Sequence, residues 1–159
     1  MESILKLLEK DGRLTVKQMA DLLGSDEKAV SDKLKQLEDE HVILGYKALI
    51  DWDKTDNEVV TAIIEVRVTP QRGEGFEKVA ERIYQFEEVE SLYLMSGGFD
   101  LAVFLVGRTM REVALFVATK LAPVEGVAST ATHFILKKYK ESGVLFATEP
   151  EQQERGYLL

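Results

Sequence analysis

The stretch "LAVFLVG" (101–107) constrains the fold more than any other, because it is apolar on both sides of a period-two alternation. Phe99, Leu101, Val103 and Leu105 share one side; Ala102, Phe104 and Val106 share the other. A strand with one face in water alternates polar with apolar, so this one belongs inside a sheet that is covered on both faces. "VVTAIIEVRVT" (59–69) has the same character, with Val60, Ala62, Ile64, Val66 and Val68 on one side and Val59, Thr61 and Ile63 on the other. Two such strands need neighbours, and the surrounding sequence supplies them.

After "PQRG", the segment "GFEKVAERIYQF" puts Phe76, Val79, Ala80 and Ile83 on one helical face. "VESLYLM" (89–95) is a strand, then "FDLAVFLVG" (99–107). Thr109 and Glu112 have capping-box spacing and open a helix with Met110, Val113, Ala114, Val117 and Leu121 inward, ended by Pro123 and Gly126. "VASTATHFILKKY" (127–139) is a fourth strand. The order β-α-β-β-α-β predicts a ferredoxin-like α+β module over 59–140. Its first and third strands are central and both helices cover one face. The other face is then bare and apolar, and several hundred Å2 of it is unusual on a monomer. At roughly 25 cal/mol per Å2, covering it with a second copy is favourable before association costs. The expectation is a homodimer joined sheet to sheet.

The first 50 residues follow a different period. Ile4, Leu5, Leu7 and Leu8 mark one short helix. "LTVKQMADLLG" begins with Thr15 and Gln18 at capping-box spacing, and Gly24 closes it. Ser25 is expected to cap the next helix, which runs to about Glu40 with Val30, Leu34 and Leu37 inward. Two helices joined by little more than Gly24–Ser25 form a helix-turn-helix. "HVILGYKALID" then predicts a small wing hairpin, with His41 helping to end the helix. Residues 51–58, "DWDKTDNE", are the expected linker, and 141–159 an aperiodic tail.

Composition removes several functions. Without cysteine there is no thiolate metal site or thiol nucleophile, and only His41 and His133 offer imidazole. No metal or cofactor is expected. No apolar run is long enough for a membrane span, and "MESILKLLEKDG" carries acids and ends too soon for a signal peptide, so the expected location is cytoplasmic. A net charge of −8 excludes a generally sticky polycation, so nucleic-acid binding must rest on local geometry.

On a 100° wheel, the second helix of the helix-turn-helix turns Lys28, Ser31, Asp32, Lys35 and Asp39 outward, with Gln36 on the flank. Lys28 and Lys35 can reach phosphates or guanine edges, and Ser31 and Gln36 suit base or phosphate contacts. Arg13, Lys17 and the wing residue Lys47 can add phosphate contacts. Asp26, Glu27 and Asp32 oppose this, and leave open an ordinary solvated helix face.

Together, "DGRLTVKQMADLLG", "VSDKLKQLEDEHVILGYKALID" and "SGGFDLAVFLVG" resemble the Lrp/AsnC (feast/famine) transcriptional regulators over about residues 1–140. The resemblance implies a winged helix-turn-helix followed by a RAM/ACT-like module. It also implies dimers that assemble further, up to octamers, bind double-stranded DNA and respond to an amino acid or similar effector. Carried over, the effector turn falls on Gly97, Gly98 and Asp100 beside Ser96, with Thr130 and Thr132 added from the last strand. Glycines leave backbone N–H groups approachable for a carboxylate, and Asp100 can face an ammonium. The plainer alternative is a hairpin turn that Asp100 caps locally. Two rival functions stay open. One is a tetrapyrrole (siroheme) decarboxylase-like enzyme drawing on His133, Arg67, Arg72, Lys137 and Lys138; the other is a sensing homologue that has lost DNA binding.

Overall fold

The computed structural model describes residues 2–69 and 75–146. The "PQRG" break, Arg72 and the end of the tail lie outside the described residues. The chain divides into two compact units, residues 1–50 and 51 onward.

In the first unit, α1 (Glu2–Lys10), α2 (Val16–Leu23) and α3 (Glu27–Asp39) enclose Ile4, Met19, Ala20, Val30 and Leu37. Thr15 and Gln18 make the expected reciprocal cap on α2. Gly24 ends α2 in the left-handed conformation, at φ 59°. The N-cap of α3 is Asp26, not Ser25: its carboxylate accepts from Ala29 N at 3.2 Å. Ser25 lies one residue further from the helix, and its N–H donates back to Ala20 O at 3.0 Å in the ending of α2.

The expected wing hairpin does not form, since residues 42–50 contain no strand. His41 adopts φ 57°, and the next two N–H groups, of Val42 and Ile43, both turn back onto Leu37 O. The chain thus leaves α3 by a helix-terminal turn, and the residues after it run without strand pairing to Ile50.

The second unit opens with a 3-10 turn, Trp52–Lys54, within the stretch expected to be an aperiodic linker. The remaining elements are β1 (Val60–Val68), α4 (Phe76–Tyr84), β2 (Val89–Leu94), β3 (Leu101–Gly107), α5 (Met110–Phe116) and β4 (Val127–Phe134). The antiparallel sheet has the order β2-β3-β1-β4, so β1 and β3 are central as expected. Residues 140–145 carry a further small ribbon, β5 (Lys140–Glu141) with β6 (Val144–Leu145), in what the sequence left as aperiodic tail.

The core lies between the helices and one sheet face. It holds Ala62, Ile64 and Val66 of β1, Leu101, Val103 and Leu105 of β3, and Val79 and Ile83 of α4. The second helix departs from its expected face: Met110 and Ala114 are exposed, while Phe116 is buried with Val113, Val117 and Leu121. Val113, Phe116, Val117 and Leu121 follow one another at spacings of three, one and four, and the last of them closes a π turn over Val117–Leu121.

The opposite sheet face carries Thr61, Ile63, Glu65 and Arg67 from β1, Ala102, Phe104 and Val106 from β3, Tyr93 from β2, and Ala131 and His133 from β4. Tyr93 meets Phe104 edge to face, with ring centroids 5.7 Å apart. This face is less uniformly apolar than the sequence suggested. Glu65 and Arg67 continue the Ile63 row, and His133 Nε2 lies 3.3 Å from Glu65 Oε1.

Candidate functional sites

On α3 the inward residues Val30 and Leu37 are buried, with Leu34 partly so, and Lys28, Ser31, Asp32 and Lys35 are exposed on the other side. Gln36 is held along the helix, accepting from Lys33 Nζ at 2.8 Å and donating to Glu40. Of the three acids, Asp26 is occupied in capping α3. Lys17 is exposed on α2. Lys47 is exposed in the strandless segment that follows α3. Sequence reasoning missed Tyr46 beside it, whose hydroxyl donates to Glu38 Oε1 at 2.9 Å. Burial of the phenol, then its bond to Glu38 and that carboxylate's charge, raise Tyr46 above the ordinary tyrosine value. An aromatic one residue before a wing lysine was the only available signal.

At the β2–β3 end of the sheet, Met95 N donates to Asp100 O at 2.8 Å and closes a loop of residues 96–99. Gly97 sits at φ 139°, a conformation for glycine. Gly98 has no positive φ, and a Cβ there would meet nothing within 4 Å. Nothing in its own chain requires Gly98 to lack a side chain. Asp100 is tied to β1 twice: its N–H donates to Val66 O at 3.0 Å, and its Oδ2 accepts from Val68 N at 2.8 Å. One carboxylate oxygen is therefore committed to β1, a bond between strands rather than the local turn cap weighed from sequence.

Ser96, Gly97, Gly98 and Asp100 come together in this turn. Thr130 and Thr132 do not join them. They pair with Val66 and Ile64 on the far side of β1, about 10 Å of sheet away at two strand spacings. Arg67 and His133 lie on the bare sheet face, and among the described residues no three His, Cys, Asp or Glu side chains cluster as a metal site.

A helix-turn-helix with lysines on the outward face of its second helix, followed by a βαββαβ module with an open glycine turn, defines a DNA-binding regulator with a sensing module. The comparisons make this specific. The family model "Lrp/AsnC ligand binding domain" matches residues 61–145, and "Winged helix-turn-helix DNA-binding" matches residues 2–43. The chain is 51% identical to an uncharacterized HTH-type transcriptional regulator of Bacillus subtilis (strain 168), YugG, over 91% of this chain and 88% of that one. It is 32% identical to the HTH-type transcriptional regulator LrpA of Pyrococcus horikoshii, over 86% and 94%. Among solved structures, a transcriptional regulator of Neisseria meningitidis in complex with L-Met superposes with a TM-score of 0.72 at 26% identity, covering 87% of this chain and 89% of that one.

The chain belongs to the Lrp/AsnC family of transcriptional regulators. Its relatives are DNA-binding regulators with a ligand-binding domain, and none of them points to the decarboxylase alternative. No helix among the described residues is long and apolar enough to cross a membrane.

Proposed function

We propose that this regulator is cytoplasmic and works as a homodimer, or an assembly of dimers up to an octamer. It reads a two-fold symmetric operator through α3 and answers an amino acid held at the Gly97–Asp100 turn. The observation that carries the reading is the room left at Gly98, beside a fixed Asp100 carboxylate. An α-amino acid needs donors for its carboxylate and an acceptor for its ammonium, and exposed turn N–H groups with the second oxygen of Asp100 suit that need. The Neisseria relative solved with L-Met supports an amino acid as the effector class.

On the DNA side, Lys28 and Lys35 meet phosphates or guanine edges, Ser31 and Gln36 add polar contacts, and Lys17 and Lys47 touch the flanking backbone. Gln36 must exchange its bonds to Lys33 and Glu40 to take part. Acids near the groove predict modest affinity with steep salt dependence.

The test pairs two assays. A thermal-shift screen over the common amino acids is expected to find at least one that stabilises the protein, as any ligand selective for the folded state must. An electrophoretic shift is expected for the wild type and lost in Lys28→Glu/Lys35→Glu with unchanged melting. Operator binding retained by that double variant rejects the assigned helix face. A wild type that binds an amino acid but shifts no duplex at low salt supports the sensing-only reading, which Asp26, Glu27 and Asp32 favour.

A further inference from the structure

We propose that Tyr46 is a positioning residue for DNA reading: its hydroxyl, by bonding Glu38, fixes the segment carrying Lys47 against the end of the recognition helix. This rests on the reading that Lys47 meets a phosphate. After the left-handed turn at His41, Val42 and Ile43 both donate to Leu37 O, and among the described residues these bonds hold the start of the segment to α3. Residues 44–50 then form no helix or strand, and Leu44 is exposed. A wing hairpin would have set the lysine's position through its own ladder. One side-chain bond that ties the segment back to α3 instead runs from Tyr46 Oη to Glu38 Oε1 at 2.9 Å. The ring of Tyr46 also neighbours the α1–α2 turn, where a Cβ on Gly12 would lie 3.7 Å from Cδ1.

Glu38 lies in the last turn of α3, so the bond ties the lysine-bearing segment to the helix that enters the groove. A phosphate contact gains most when its cation is already near the contact position, because less side-chain and backbone freedom is lost on binding. Tyr46 is half exposed, so removing only its hydroxyl leaves the packing in place.

The experiment measures binding to one mixed-sequence DNA duplex by fluorescence anisotropy across a salt series, with melting measured in parallel. Tyr46→Phe is expected to weaken binding and lower the slope of log affinity against log salt by up to about 0.9 per bound protomer, one phosphate's worth. Its melting temperature is expected to stay that of wild type. Glu38→Gln keeps an acceptor and is expected to keep the wild-type slope. Lys47→Ala is expected to match Tyr46→Phe, and the double variant to add nothing further, as for two residues acting through one contact. A wild-type slope in Tyr46→Phe with a reduced slope in Lys47→Ala overturns the positioning role alone. A wild-type slope in Lys47→Ala overturns the phosphate reading of Lys47, and the positioning role with it.

Discussion

At the scale of single residues, Asp100 has two jobs that its substitutions can separate. Its Oδ2 accepts from Val68 N at the end of β1, in a part-buried position. Asp100→Ala leaves that N–H without its partner and is expected to cost about 1 kcal/mol of stability, whatever happens to an effector. Asp100→Asn retains an oxygen for Val68 and removes only the charge. It is therefore expected to melt like wild type while losing the amino-acid-induced thermal shift. A preserved shift in Asp100→Asn displaces the effector from this turn. Gly97 and Gly98 divide in the same way. Gly97→Ala forces a side chain into φ 139° and is expected to destabilise the protein by about 1 kcal/mol or more. Gly98→Ala meets no atom of its own chain, so melting should be unchanged and any loss should fall on the effector response alone.

At the scale of elements, helix ends were legible from sequence where side chains close their own caps. Thr15 with Gln18 and Gly24 were read correctly because caps are local and involve a few consecutive residues. The βαββαβ order was legible for a related reason: β1 and β3 are short continuous runs of β-branched and other apolar residues, and α4 repeats with period 3.6. What was not legible depended on competition. Asp26, one residue nearer the helix, took the cap of α3 from Ser25, and the segment after His41 turned back onto Leu37 O instead of entering a hairpin. On α5, Val113, Val117 and Leu121 were read inward correctly, but Phe116 is buried where Met110 and Ala114 had been expected, and the π turn over Val117–Leu121 left no signal in the sequence. The candidate residues were brought together only where they are consecutive: Ser96, Gly97, Gly98 and Asp100 share one turn, while Thr130 and Thr132 are separated from it by β1, a fact of strand order.

In that π turn Lys120 is exposed, where it binds Glu88 at the start of β2 and lies over the Phe116 ring. The hydrogen bond from Lys120, outweighing partial burial, holds the Glu88 carboxyl below its ordinary value of 4.5. The carboxylate is favoured in the folded state, so its contribution is present above that value and fades as pH falls through the lowered one. Both side chains are more than a third exposed, so screening keeps the effect under about 1 kcal/mol. Glu88→Gln is expected to show a shallower fall in stability than wild type below about pH 4.5, measured by urea denaturation at stepped pH. Parallel curves for the two proteins would remove the ion pair from the account.

At the scale of the whole molecule, the bare sheet face sets the argument for self-association. Ile63, Ala102, Phe104 and Val106 form its apolar part, and Tyr93 extends it over β2. The Glu65–His133 pair and Arg67 make its other end polar, as an interface with an apolar centre and a polar rim requires. Phe104→Glu puts an unpaired charge in the apolar part and is expected to convert dimer to monomer in sedimentation at micromolar concentration, with the helix-side core intact. A dimer unchanged by Phe104→Glu places the association elsewhere.

The central position of β1 bears on how the chain is made. The three N-terminal helices find their partners among close neighbours in sequence and can finish as soon as they leave the ribosome. The most β-branched strand cannot. It comes first in its module, yet it needs β3 on one edge and β4, far downstream, on the other. While translation continues, a DNA-reading unit is already formed and an apolar ribbon trails behind it unpaired. Synthesis speed through residues 70–134 therefore governs how long that ribbon is open to chaperones or to a neighbouring nascent chain.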